Sequence, residues 1–147
     1  MTDILSDEYF MQIAINEAKE AALKGEIPVG AIIVANNQII AKSHNLTELL
    51  HDVTAHAEIQ AISSAANFLN AKYLKNCTLF VTLEPCQMCA GALYWSQISK
   101  IVCGAEDEKR GYRAMGGKIH PKTTIKFGVL QKECSNLMIE FFNKKRT

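Results

Sequence analysis

The sequence predicts an α/β sandwich, with helices on both faces of one sheet. Three observations carry that expectation. From residue 55 onward, segments with helical spacing alternate with apolar runs of strand length. The run at 78–83 is apolar almost throughout, as in a strand covered on both faces. The chain has 147 residues, 48% hydrophobic and 21% charged, which suits a single domain spanning 1–147. A chain of that length buries roughly two-thirds of its unfolded surface, so it needs no disulfide staples.

Each element has a local signal. Ser6 is placed to cap a first helix whose opening turn holds Asp7 and Glu8. Phe10, Ile13, Ala14, Ala18, Ala21 and Ala22 recur along it at helical spacing, and Gly25 and Pro28 end it. Residues 29–35 form a buried-type strand. Asn36-Asn37 makes a tight turn, and 38–42 returns as a second strand. A polar loop, 43–53, leads to a helix from near Ala55 with Ile59, Ile62, Ser63 and Ala66 on one face. The strand at 78–83 ends at Pro85. A helix with Met88, Ala92, Leu93 and Trp95 follows, and then a strand at 100–104. Residues 105–122 are polar and contain glycine; 123–127 is the last strand. A closing helix over 133–145 places Leu137, Met138, Phe141 and Phe142 on its apolar side.

Composition excludes several classes. No apolar run is long enough to cross a membrane. The first residues carry Asp3, Asp7 and Glu8 and no basic stretch, so no secretory signal is expected. The five cysteines are Cys77, Cys86, Cys89, Cys103 and Cys134, an odd number that argues against a disulfide framework. A reduced, cytoplasmic setting with metal-binding or catalytic thiols is expected instead. The net charge of +1 hides an asymmetry: residues 1–99 hold 5 basic and 10 acidic residues, and residues 100–147 hold 11 and 5. A basic C-terminal third can bind phosphates or can be a solvated surface.

Chemistry concentrates at two strand-to-helix junctions, His56-Ala57-Glu58 and Pro85-Cys86-Gln87-Met88-Cys89. Cys-x-x-Cys on a first helical turn aims both sulfurs at one place, with backbone N–H groups nearby that favour thiolates. Zinc accepts thiolate and imidazole, and His56, Cys86 and Cys89 supply three ligands. Catalytic zinc keeps its fourth position for water, whereas structural zinc closes with a fourth protein ligand. Glu58 lies two residues from the histidine and can reach that water as a proton shuttle. Two other readings use the same residues. Cys86 and Cys89 can be a thioredoxin-type redox pair, or Cys77 or Cys103 can close a structural zinc site. Cys77, Cys103 and Cys134 otherwise read as small core hydrophobes. No Gly-x-Gly-x-x-Gly or P-loop sequence occurs, and no organic cofactor is required.

His-x-Glu followed about thirty residues later by Pro-Cys-x-x-Cys is the signature of zinc nucleobase deaminases. With it the sequence resembles the cytidine-deaminase-like zinc superfamily, and within that the bacterial tRNA adenosine deaminase family. The motifs are Gly-Glu-Ile-Pro-Val-Gly-Ala at 25–31, His-Asn-Leu at 44–46, Thr-Ala-His-Ala-Glu-Ile at 54–59 and Thr-Leu-Glu-Pro-Cys-Gln-Met-Cys-Ala-Gly-Ala at 82–92. Gly-Ala-Glu-Asp-Glu-Lys at 104–109 and Phe141-Phe142 with basic neighbours add to them. The resemblance implies a three-layer α/β/α sandwich on a five-stranded mixed sheet. It also implies one zinc per chain and a homodimer with active sites near the subunit interface.

On the same resemblance, Asn45 matches the family's base-binding asparagine and Asp107 the residue that approaches a ribose hydroxyl. Read alone, Asn45 is a turn residue and Asp107 a helix N-terminal charge. Val53 stands where the family usually has proline. The stretch after Lys109 is short and lacks the usual Gly-Ser-Leu, in a region that helps hold the anticodon loop. Tyr94-Trp95 is more like guanine deaminases of the superfamily, or else packs in the core or at a dimer seam. The leading expectation is conversion of adenosine to inosine at the wobble position of tRNA. The basic C-terminal third, Asp107 and Lys144-Lys145-Arg146 favour that RNA partner. The alternative is a deaminase of free nucleobases or nucleosides, of guanine, cytosine or adenine derivatives, favoured by Tyr94-Trp95 and the short loop. A non-catalytic zinc module is a third class, against which Glu58 argues, because binding zinc does not need it.

Overall fold

A computed structural model describes residues 5–145; Asp3 and Arg146 lie outside the described residues. In chain order the elements are α1 (Asp7–Leu23), β1 (Gly30–Ala35), β2 (Gln38–His44), α2 (Ala57–Leu69), β3 (Cys77–Leu83), α3 (Gln87–Ser96), β4 (Lys100–Ala105), β5 (Thr124–Lys126) and α4 (Gln131–Lys145). The strands form one five-stranded sheet in the order β2-β1-β3-β4-β5. β1 is antiparallel to β2 and β3, whereas β3–β4 and β4–β5 are parallel, so the sheet is mixed.

The local rules operate as expected at the start of the chain. The Ser6 hydroxyl accepts from the Tyr9 amide at 3.1 Å and caps α1. Asn36 and Asn37 both lie at positive φ, 51° and 61°, and join β1 to β2 in a two-residue turn whose twist matches the strands.

The pleat divides the core into two layers. Ala31, Ile33, Leu79, Val81, Ile101 and Cys103 pack with residues of α2 and α3. Ile32, Val34, Phe80 and Val102 face the other way, against Phe10, Met11, Ala14 and Ile15 of α1 and Cys134 of α4. The sandwich therefore has α2 and α3 on one side of the sheet and α1 and α4 on the other. At one point α1 lies directly on the strand: a Cβ on Gly30 would collide with the Ala14 carbonyl oxygen and the Ala18 amide nitrogen. Both obstacles are backbone and cannot rotate away. Gly30→Ala is expected to destabilise the fold by about 1–3 kcal/mol, read as a lower urea midpoint at unchanged m-value.

Three expectations are corrected. The buried side of α2 is Ala57, Glu58, Ala61 and Ala65; of the expected face, Ile62 and Ala66 pack half-buried against the same core, while Ile59 is only half-buried and Ser63 is exposed. α2 packs so that alanines meet the sheet, and size overrides hydrophobicity in choosing its face. Trp95 is 75% exposed and so is no core residue; its ring packs edge-on to Tyr94 at 5.4 Å. On α4 only Cys134 is buried, and Phe142 is 37% exposed, because the helix lies shallowly on the sheet. No helix among the described residues is long and apolar enough to cross a membrane.

Candidate active site

The site forms where α2 and α3 begin. His56 is the N-cap of α2 and Cys86 the N-cap of α3, both with extended backbone, and neither side chain accepts a capping hydrogen bond. Ordinary N-caps are Ser, Thr, Asp or Asn, and forgoing one costs about 0.5–2 kcal/mol of helix stability. Here both side chains turn instead toward a common point. The two helix starts also bring unpaired N–H groups and positive dipole ends, which favour negative charge between them. The start of α2 is fixed to the end of β2: the Ser43 hydroxyl donates to the Ala57 carbonyl at 2.7 Å, and the Gln60 amide donates to the His44 carbonyl at 2.7 Å.

His56 Nδ1 lies 3.7 Å from Cys86 Sγ and 3.5 Å from Cys89 Sγ. Zinc binds imidazole at about 2.0 Å and thiolate at about 2.3 Å, so a tetrahedral ion requires N···S separations of about 3.5 Å. The donor set fits the ion in both kind and spacing. Among the described residues these three are the one group of His, Cys, Asp or Glu arranged to hold a metal ion. Cys77 of β3 and Cys103 of β4 lie in the core of the sheet and do not join that group, so neither supplies a fourth ligand. All five cysteines are free.

The electrostatics of the thiols agree with a cation site. The Cys89 thiol donates to Cys86, and with the His56 imidazole it draws the Cys86 thiol down to about 4. The Cys86 thiolate, together with burial, pushes the Cys89 thiol far up. Two sulfurs so placed share one proton; a cation in its place lets both be thiolates. The His56 imidazole is raised, chiefly by the same Cys86 contact.

Glu58 is the fourth residue of this cluster. It is buried, points into the site beside Cys89, and burial pushes its carboxyl up to about 7 despite its own backbone N–H and the nearby imidazole. A carboxyl poised near neutrality can take up a proton and release it. Asn45 is buried just past β2. Its amide N–H donates to the Val29 carbonyl at 3.1 Å, and its side-chain oxygen receives a long contact from the Thr47 amide at 3.4 Å. A cleft of about 410 Å³ opens beside His56, lined by Thr47, Glu48, His51, Asp52, Val53 and His56. Asp107 stands in the loop after β4, where its Oδ1 accepts from the Lys109 amide at 3.3 Å and the Arg110 amide at 3.0 Å.

Two buried carboxylates have a part that sequence reasoning did not assign. Glu26 accepts from the Glu48 and Leu49 amides at 3.0 and 2.8 Å and so holds the loop that lines the cleft. Glu84 does the same for the loop after β4. Burial raises the Glu84 carboxyl, but the Arg113 guanidinium and the Asp107 and Arg113 amides outweigh it and leave it below the usual range. The one signal in the sequence was an acidic residue set among apolar neighbours, Leu83-Glu84-Pro85.

Residues 5–105 match the family model described as the cytidine and deoxycytidylate deaminase zinc-binding region. A tRNA-specific adenosine deaminase of Aquifex aeolicus is 47% identical over 147 residues, covering 97% of each chain. A solved structure from studies of A-to-I editing by tRNA:A34 deaminases at the wobble position superposes with a TM-score of 0.82. It is 36% identical and covers 88% of this chain and 98% of its own. The guanine deaminase of Bacillus subtilis is 35% identical with a TM-score of 0.66, covering 79% and 69%.

Proposed function

The chain belongs to the cytidine and deoxycytidylate deaminase zinc-binding family, in its tRNA-specific adenosine deaminase branch, and from that premise we propose how its residues work. It is a hydrolytic deaminase that converts adenosine to inosine at the wobble position of tRNA. Guanine deaminases share the fold, but the tRNA-specific adenosine deaminase of Aquifex aeolicus matches over 97% of each chain at 47% identity, against 35% for the Bacillus subtilis guanine deaminase over 79% of this chain.

His56, Cys86 and Cys89 would hold one zinc ion, and the observation that carries this is the 3.5–3.7 Å spacing of imidazole nitrogen to both sulfurs. When bound, zinc supplies the acidification of water that makes a nucleophile available near neutral pH. Glu58 takes the proton of the attacking water and delivers it to a ring nitrogen of the base. The oxygen bonds to the carbon that bears the exocyclic amine. Glu58 then takes the proton of the newly added hydroxyl and passes it to that amine; the C–O bond becomes a carbonyl as the C–N bond breaks, and ammonia leaves. The burial that raises the Glu58 carboxyl suits both directions of transfer. Asn45 donates and accepts with one amide and so reads the base edge. Asp107, with one oxygen engaged in its own turn, has the other for a ribose hydroxyl.

The RNA reaches the site as a loop with its base extruded, held by the flanking nucleotides. Lys144 and Lys145 at the end of α4 add phosphate contacts. A reduced cytoplasmic setting and a homodimer belong to the same reading; exposed Trp95 and Phe68 give a second copy apolar surface to cover.

An inosine assay on an adenosine-bearing anticodon stem-loop, run beside free adenosine, guanine and cytidine, tests this. Turnover of the stem-loop is expected to exceed that of free adenosine by orders of magnitude and to fall steeply with salt. Fast, salt-insensitive turnover of a free base would transfer the protein to the small-molecule deaminases.

A further inference from the structure

The loop that follows β4 is docked on the metal-binding junction by one ion pair. Glu84 lies between β3 and the Pro85-Cys86 dipeptide, and its side chain is 1% exposed. Its two oxygens accept four hydrogen bonds from the loop. They come from the Asp107 amide at 3.1 Å, the Arg113 amide at 3.3 Å, Arg113 Nε at 3.1 Å and Arg113 Nη2 at 2.8 Å. The Tyr112 amide donates to the Pro85 carbonyl at 2.8 Å, one residue from Cys86. Gly111 passes over the carboxylate where a Cβ would collide with it.

Arg113 gathers more than this one partner. Its Nη2 also pairs with Glu106 at 2.9 Å, and its guanidinium lies 4.0 Å above the Phe127 ring, just beyond β5. One side chain thus joins the β3–α3 junction, the exit of β4 and the exit of β5. The hydrogen bonds run in series. Glu84 fixes the backbone of Asp107, and the Asp107 carboxylate in turn fixes the Lys109 and Arg110 amides. A second cleft, of about 310 Å³, opens on this arrangement and is lined by Glu84, Glu106, Asp107, Glu108, Arg113 and Ala114.

We propose that Arg113 is a positioning residue for the RNA: its fork on Glu84 sets the 106–113 loop at a fixed height beside Cys86, so that the loop meets the nucleotides flanking the extruded base already ordered. This rests on the tRNA reading given above and deepens it. A loop ordered in advance costs less to bind than one ordered by the ligand. It contributes equally before and during the reaction, so its loss is read in KM, with kcat kept. Lysine cannot replace the fork, because an ammonium is a point charge and the two parallel N–H···O bonds need a guanidinium.

Arg113→Ala in the zinc-loaded enzyme is the test, with Arg113→Lys, which keeps a cation beside the buried Glu84, as the variant that carries it if the alanine protein does not fold. KM for the anticodon stem-loop is expected to rise about ten-fold, the scale of one charge-assisted hydrogen bond, with kcat close to wild type. Hydrogen exchange at the Asp107, Gly111 and Tyr112 amides should quicken in the same variant. Arg113→Lys should recover only part of both effects. An unchanged KM overturns the proposal, whether or not those amides loosen. So does a fall in kcat at constant KM, which would put Arg113 in the chemistry. A wild-type enzyme inert on the stem-loop overturns the tRNA reading and the RNA half of this proposal, while the exchange rates still report whether Arg113 holds the loop.

Discussion

Glu58→Gln is expected to lower single-turnover inosine formation by roughly 10³–10⁴-fold, near the upper range for a positioned acid–base group. The substitution keeps shape and volume in a position that is buried, so packing against the sheet is preserved. What it removes is the ability to accept a proton, and the same carboxyl serves the water, the ring nitrogen and the departing amine. Metal content, by elemental analysis, should remain at the wild-type level, because the ligand atoms come from His56, Cys86 and Cys89. A Glu58→Gln protein that has lost its metal would show the carboxylate to be a ligand and would end the shuttle mechanism.

The complementary result is expected from Cys86→Ala. Its sulfur is one of three donors lying within 4.8 Å of one another, and a site of two donors holds zinc far more weakly. Purified Cys86→Ala should contain little or no zinc, and inosine formation should fall to background. Cys77→Ala is the control, because Cys77 is a core residue at the start of β3 and should retain full metal content. Full zinc retention in Cys86→Ala would remove that residue from the ligand set.

Chemistry was more legible in this sequence than packing. His56, Glu58, Cys86 and Cys89 are few in kind, and local spacing puts each pair at the start of one helix; what joined the two pairs was the chemistry of a shared metal, since the folded chain alone brings the helix starts together. The strands were legible for the same reason, being short apolar runs ended by Asn36-Asn37 and Pro85. The face of α2 was not. Hydrophobic periodicity ranks Ile59 above Ala57, Ala61 and Ala65, while the close approach of helix and sheet selects small side chains. Of the two places open to Trp95, core or dimer seam, its exposure removes the first; sequence could not choose between them, because an aromatic ring is apolar wherever it lies and exposure depends on what else covers the helix. The Glu84–Arg113 pair joins residues 29 apart in sequence, and no repeating pattern marks such a partnership. Glu26 and the Glu48 and Leu49 amides are likewise joined only by the folded chain.

The placement of two donor side chains at helix N-caps has a thermodynamic consequence. A serine or aspartate in either place would stabilise its helix at every metal concentration; His56 and Cys86 leave those first turns dependent on the ion they share. Zinc affinity and conformational stability are then linked by mass action, rising together by RT ln(1 + [Zn]/Kd) wherever the unfolded chain binds the ion more weakly. At a free metal level one hundred times Kd that amounts to about 2.7 kcal/mol, a sizeable part of the total for a chain of this length. The thermal midpoint should therefore track free zinc. Starvation for the metal would act on how much folded protein a cell retains as well as on how fast each molecule turns over.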